Sequence, residues 1–429
     1  MFALSLTLGA FGLILLCARL RVPLGLAIIL GSAALGLGFG LDGARLARAA
    51  WTGATAPQTL TLALVTTLLL GLSALMRESG QLTSIVTLAH QMLRRPVATM
   101  VAMPALIGLL PMPGGAIFSA PMVESASGKV EVSRSLLSSI NYWFRHIWEF
   151  FWPLYPGVLL AMALTRRAIP AWTALMIFGT AAMFIGGLVM LRGIPADLQA
   201  RSAPPPPGIK RKLLGATGSI WMILLVWGAA SLLARCGLDR VRPDALAGIV
   251  LKHGPLVFGL LGSILWTVWT YRISGATLRK AFCRPETYSL AGLIFAIMIF
   301  QHTLEAVGAP GRIAAELQGF HVPLALVVAF LPFIAGFVTG IAVGFVGTAL
   351  PIVLNLVGTV DAAGAIAYIP LAYTFGHLGQ MMSPIHVCQI VSNRYFGTTY
   401  GPVYRHILPS ALITALLNIG YFLFLHRLY

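Results

Sequence analysis

A chain of 429 residues that is 58% hydrophobic and only 10% charged departs from a soluble domain, where about a quarter of residues carry charge. No stretch has a soluble domain's composition, which excludes a single-span anchor on a soluble body. The net charge of +17, from 29 Lys plus Arg against 12 Asp plus Glu, would suggest nucleic acid in a soluble protein, but in a multispan protein it reports topology, so no nucleic-acid partner is expected.

In chain order, apolar runs bounded by Arg, Pro and Gly predict spans near residues 2–18, 22–39, 57–76, 139–165 and 169–191, then 213–234, 250–271, 286–303, 364–391 and 407–426. Most approach the ~20 residues a helix needs to cross a bilayer. The first run lacks the basic start of a signal peptide and is expected to be a retained helix. Segments 97–123 and 322–356 are apolar but interrupted by Pro111-Met-Pro-Gly-Gly115 and Thr339-Gly-Ile-Ala-Val-Gly344. They predict re-entrant hairpins, because non-helical backbone at depth survives only where protein or a cavity surrounds it. Residues 193–212, with Pro204-Pro-Pro-Pro207 and Lys210-Arg-Lys212, form a proline-rich linker.

The chain repeats across that linker at an offset of about 230 residues. Gly43-Ala-Arg-Leu-Ala-Arg-Ala matches Gly275-Ala-Thr-Leu-Arg-Lys-Ala, Gly80 matches Gly308, and Pro104 and Gly108 match Pro332 and Gly336. Tyr142-Trp-Phe-Arg-His146-Ile-Trp-Glu149 matches Tyr373-Thr-Phe-Gly-His377-Leu-Gly-Gln380, and Pro153 matches Pro384. Each half, 1–192 and 213–429, then holds five spans and one hairpin, and an odd number of spans turns the second half upside down. The expectation is an all-α polytopic membrane protein of two inverted-topology repeats, each with five transmembrane helices plus one re-entrant helical hairpin and a broken helix (139–165 and 364–391). Most Lys and Arg fall on one set of alternate loops, including the linker, which the positive-inside rule makes cytoplasmic. Both termini are then extracytoplasmic.

Arg145 alone among the cations falls within a span, and such a residue marks a functional site by default. Asn141, Arg145 and Glu149 share one helix face at i, i+4 and i+8, while the partner helix has Gly376 opposite Arg145 and Gln380 opposite Glu149. A single guanidinium suits one anionic group, which it can clamp with two parallel hydrogen bonds. The plainer alternatives are a permanent Arg145–Glu149 pair or snorkelling. His146 and His377, in register, together with Glu149 and the weaker candidate His386, could exchange protons. Pro153 and Pro384 each remove a helical hydrogen bond and free carbonyls to bind ions. In the hairpins, Pro113, Gly114, Gly115 and Gly344 permit close backbone approach, and Ser119, Thr348 and Ser383 add hydroxyls. Trp143, Trp148 and Trp152 suit either an interfacial belt or a binding wall. The four cysteines, Cys17, Cys236, Cys283 and Cys388, form no paired or Cys/His spacing, so no disulfide framework, metal or cofactor is expected and no catalytic residue is assigned.

Pro111-Met-Pro-Gly-Gly-Ala-Ile-Phe-Ser-Ala-Pro-Met-Val-Glu124, Asn141-Tyr-Trp-Phe-Arg-His-Ile-Trp-Glu149, Trp152-Pro-Leu-Tyr-Pro-Gly157 and Ser383-Pro-Ile-His-Val-Cys388 resemble the ion transporter superfamily, and more narrowly a family of uncharacterised prokaryotic membrane proteins within it. The resemblance implies an elevator-type secondary transporter in the prokaryotic inner membrane, often a homodimer. The Ser-Asn-Thr hairpin-tip signature of the superfamily's sodium-coupled dicarboxylate carriers is absent, which favours protons over sodium. The expected function is transport of a small carboxylate-like anion across the lipid bilayer, coupled to an ion gradient. The alternative is an intramembrane enzyme acting on a lipid-linked substrate.

Overall fold

The computed structural model describes residues 2–93, 95–109, 115–128, 130–195, 206–237, 245–309, 312, 316, 323–361 and 364–429. Among the described residues all regular structure is helical, the arrangement in which a chain immersed in lipid satisfies its own backbone. The first half holds α1 (Phe2–Arg19), α2 (Leu24–Gly38), α3 (Gly43–Thr55), α4 (Pro57–Glu78), α5 (Gln81–Met92), α6 (Pro96–Gly108), α7 (Ala116–Ser127), α8 (Arg134–Arg145), α9 (Pro156–Leu164) and α10 (Ile169–Leu188). The second holds α11 (Ile209–Ala216), α12 (Gly218–Gly237), α13 (Ala245–Thr270), α14 (Gly275–Phe282), α15 (Pro285–Ala306), α16 (Leu324–Thr339), α17 (Ala342–Thr348), α18 (Leu350–Val360), α19 (Ala365–Met381), α20 (Val387–Phe396) and α21 (Tyr400–Leu428).

Matched sequence segments adopt matched local structure. The amphipathic helices α3 and α14 are each capped by a preceding side chain, Asp42 accepting from the Arg45 N–H and Ser274 from the Thr277 N–H. Each cap satisfies a donor that the first helical turn would otherwise leave unpaired. The long helices that follow, α4 and α15, both begin at proline, whose missing N–H costs nothing at a first turn. Gly80 and Gly308 then both turn the chain with left-handed backbone, φ 72° and 60°, a conformation glycine adopts without a Cβ clash.

Among the described residues, five unbroken helices are long and apolar enough to cross a bilayer: Phe2–Arg19, Pro57–Glu78, Ile169–Gly193, Gly275–Ala306 and Tyr400–Leu428. The run expected at 213–234 is bent by 62° between α11 and α12. Leu24–Gly38, Leu324–Thr339 and Ala342–Gly358 are apolar but shorter. Leu408, Leu412, Leu416 and Leu423 of α21 face outward, as a lipid-contacting surface does, while Tyr142, Trp143, Phe150, Trp172, Phe345 and Tyr373 fill the interior. The chain is a multi-pass membrane protein in which α20 packs against α7 and α8, and α10 against α21. The polar site lies where the halves meet.

Candidate functional site

Helix α8 ends at Arg145 and the chain continues through a 3-10 turn, Ile147–Phe150, before α9. The break therefore starts seven residues before Pro153, the proline expected to cause it. In the second half α19 ends at Met381 and α20 begins at Val387, with Pro384 in the gap. Carbonyls released at both breaks are taken by side chains. Thr180 donates to the Ile147 carbonyl (2.7 Å), Tyr373 to that of Glu149 (2.7 Å) and Trp172 to that of Phe150 (3.0 Å). At the second break Tyr142 donates to the Met381 carbonyl (3.0 Å), Tyr404 to that of Met382 (2.8 Å) and Tyr400 to that of Pro384 (2.6 Å). Each of these oxygens has a protein donor, which leaves one lone pair rather than two on each freed carbonyl.

The breaks cross one another. Tyr142 reaches the second break and Tyr373, its counterpart in the repeat, reaches the first. Gln380 donates to Glu149 Oε2 at 2.7 Å, so the residues matched in the two halves meet directly. Glu149 Oε2 also lies 3.7 Å from His377 Nδ1, and Oε1 lies 3.8 Å from His146 Nε2. The His146 Nε2 and His386 Nε2 atoms are 3.1 Å apart, and the Cys388 thiol completes a buried His146, His386 and Cys388 group. The Tyr142 carbonyl, 2.7 Å from His146 Nδ1, only accepts, so Nδ1 carries a proton and a neutral His146 presents its Nε2 lone pair to His386.

Arg145 is 3% exposed. A Cβ added to Gly115 would strike its guanidinium, and one added to Gly108 would strike its carbonyl oxygen. The matched Gly336 approaches the Gly376 carbonyl in the same way. Trp148 and Trp152 donate to the Ala105 and Leu109 carbonyls (2.8 and 2.9 Å), and Trp143 to that of Met183 (2.9 Å). The three tryptophans thus tie α8 and the break to α6 and α10, while Trp148 and Trp152 also line cavities.

Of the residues expected at the site, Arg145, His146, Glu149, His377 and His386 come together. Asn141 and Ser119 lie one turn further along α8 and α7, where Ser119 donates to Asn141 Oδ1 (2.5 Å) and Asn141 Nδ2 to Ser392 (3.0 Å). Ser138 extends this network to Asn393 (2.7 Å). Ser383 sits in the second break, where a Cβ on Gly340 of the second hairpin would come within 3.0 Å of its hydroxyl. Gly344 and Thr348 lie in α17, and the Thr348 hydroxyl donates within that helix to the Gly344 carbonyl (2.7 Å) instead of joining the crossing. Pro113 and Gly114 lie outside the described residues. Among the described residues, several deeply buried polar atoms at the crossing have no hydrogen-bond partner: both ring nitrogens of His377, the Ser383 hydroxyl, Gln380 Oε1 and the Gln389 amide. Buried polar groups are normally satisfied.

The model of the family described as "Protein of unknown function (DUF401)" matches residues 3–203 and 246–424. No curated relative matches the sequence. Among solved structures, the chain superposes on MtrF of Neisseria gonorrhoeae, described as illuminating a class of antimetabolite efflux pumps, with TM-score 0.53 and 15% identity over 88% of this chain and 83% of that one. It also aligns with the Alcanivorax borkumensis YdaH transporter, described as having an unusual topology, with TM-score 0.44 and 15% identity over 88% and 86% of the two chains.

Proposed function

This chain belongs to the DUF401 family, and from the geometry of its site we propose that it is a secondary active transporter of the elevator type, moving a small carboxylate-like anion with protons as the coupling ion. The observation that carries this reading is a buried arginine where two broken helices cross, beside Glu149 and three histidines. Burying a charge in a membrane is expensive, and a carboxylate clamped by Arg145 would offset that cost through paired charge-assisted hydrogen bonds. His146, Glu149, His377 and His386 supply proton sites within the same cluster. The fold shared with an efflux pump supports transport over an intramembrane enzyme.

Arg145, His146, Glu149 and His377 are all buried among the described residues. A buried site of this kind suits alternating access, and in the proposed elevator motion the hairpins and breaks move together. The crossed tyrosines and the matched close approaches at Gly108 and Gly336 support two inverted repeats, with membership of the ion transporter superfamily, both termini outside the cytoplasm and a homodimeric assembly as the rest of the proposal. Proteoliposomes under an imposed pH gradient, offered a panel of small carboxylates, test it. Saturable, gradient-driven flux that is lost in Arg145→Gln supports the reading; equal flux in the folded variant removes Arg145 from it.

A further inference from the structure

Nothing in the spacing of the cysteines pointed to a metal, yet three soft donors from separate segments converge at the crossing. We infer that the crossing is a site for a zinc-class divalent metal ion, held by His146 Nε2, His386 Nε2 and Cys388 Sγ, with Glu149 as the fourth donor. This goes beyond the transport reading and stands whether or not the chain moves anions.

Four features support it. The two Nε2 atoms are 3.1 Å apart, close to the ~3.3 Å that two imidazoles subtend at a tetrahedral zinc with Zn–N bonds of about 2.05 Å. The His146 ring is already oriented as a ligand, because Nδ1 donates to the Tyr142 carbonyl at 2.7 Å, and a ligating histidine characteristically gives its other N–H to such an acceptor. The three ligand atoms all lie within 4.8 Å of one another and belong to buried residues. Closing to the ~3.6 Å N···S separation of a tetrahedral site needs a shift of about 1 Å, within reach of side-chain rotation. Lastly, Glu149 directs Oε1 toward His146 Nε2 at 3.8 Å while Oε2 is held by Gln380 at 2.7 Å, so the carboxylate is steadied by an outer partner as metal ligands are.

Selectivity follows from the donor set: mixed imidazole and thiolate ligation selects zinc or copper over magnesium or calcium.

The test is titration of the purified full chain in detergent, stripped with chelator, using Zn2+ and separately Co2+. One ion per chain, a Co2+–thiolate charge-transfer band, and no response to Mg2+ or Ca2+ are expected. Cys388→Ser should abolish the band, and His386→Ala should weaken Zn2+ binding by more than the ~10–100-fold that loss of an outer partner costs. His426→Gln, an exposed histidine beside Asp361, should leave binding unchanged. Absence of saturable binding to the unmutated chain overturns the site, as does a charge-transfer band that persists in Cys388→Ser. The first of these results needs no variant to fold, and neither depends on transport.

Discussion

The contact between Gln380 and Glu149 is where the two halves meet through matched residues, and its strength is open to a double-mutant cycle. Gln380 Nε2 donates to Glu149 Oε2 at 2.7 Å, with both side chains buried. Hydrogen bonds to charged groups contribute ~1.5–3 kcal/mol, whereas cycles on membrane-embedded polar pairs average ~0.6 kcal/mol. The short distance and the carboxylate acceptor place this bond in the former class, so the expected coupling is about 2 kcal/mol, or roughly 30-fold in an equilibrium constant. The assay is equilibrium unfolding in mixed micelles of the unmutated chain, Gln380→Ala, Glu149→Ala and the double variant. Each alanine removes one partner without supplying a new one. A coupling below about 0.5 kcal/mol would refute the argument, because it would mean that Glu149 draws its compensation from elsewhere and that the halves are not joined through this bond.

Tyr142→Phe and Tyr373→Phe remove the two crossed hydroxyl bonds and should each cost ~1 kcal/mol in the same unfolding assay; a loss confined to one of them would contradict the reciprocal arrangement. Gly108→Val and Gly336→Val drive side chains into the carbonyls of Arg145 and Gly376, whereas Gly9 has open space around it. The first two should therefore lower the melting temperature sharply while Gly9→Val leaves it nearly unchanged, and equal behaviour of all three would show that the close approaches are not structural. Glu316 accepts from the Leu4 and Ala3 N–H groups at the start of α1 (2.8 and 2.9 Å), and the Leu4 bond foremost holds its carboxyl below the ordinary range. A depressed pKa contributes stability that is present above the unfolded value of ~4.3 and is lost as pH falls through the folded value. The melting-temperature gap between the unmutated chain and Glu316→Gln should thus narrow on acidification below about pH 4; a gap independent of pH would count against the cap.

What the sequence disclosed and what it hid divide along a physical line. Features encoded by local punctuation were legible: the breaks near Pro153 and Pro384 and the pairing of Gly80 with Gly308. The helix face expected to carry Asn141, Arg145 and Glu149 instead ends at Arg145, and Glu149 lies in the 3-10 turn that follows. The register of the repeat also placed Gln380 opposite Glu149, which the structure turns into a direct bond. Contacts between segments about 240 residues apart left no periodic trace. Cys388 looked like a small apolar residue until α20 brought it beside His146 and His386, and Ser392 and Asn393 joined the site only through α8. The Thr348 hydroxyl bonds within its own helix, a contact that a glycine-rich stretch does not announce in sequence. The indole N–H groups of the tryptophans satisfy carbonyls of other segments, partners that local sequence does not name. Hydropathy likewise does not register a bend such as the 62° turn between α11 and α12.

The most direct test of the account is charge movement across a supported membrane or proteoliposome carrying the purified protein, with small carboxylates applied at two imposed pH gradients, for the unmutated chain and for Arg145→Gln with its folding confirmed by melting. The account predicts saturable, pH-gradient-dependent carboxylate transport in the former and none above background in the latter. Carboxylate flux of equal size in both would contradict it.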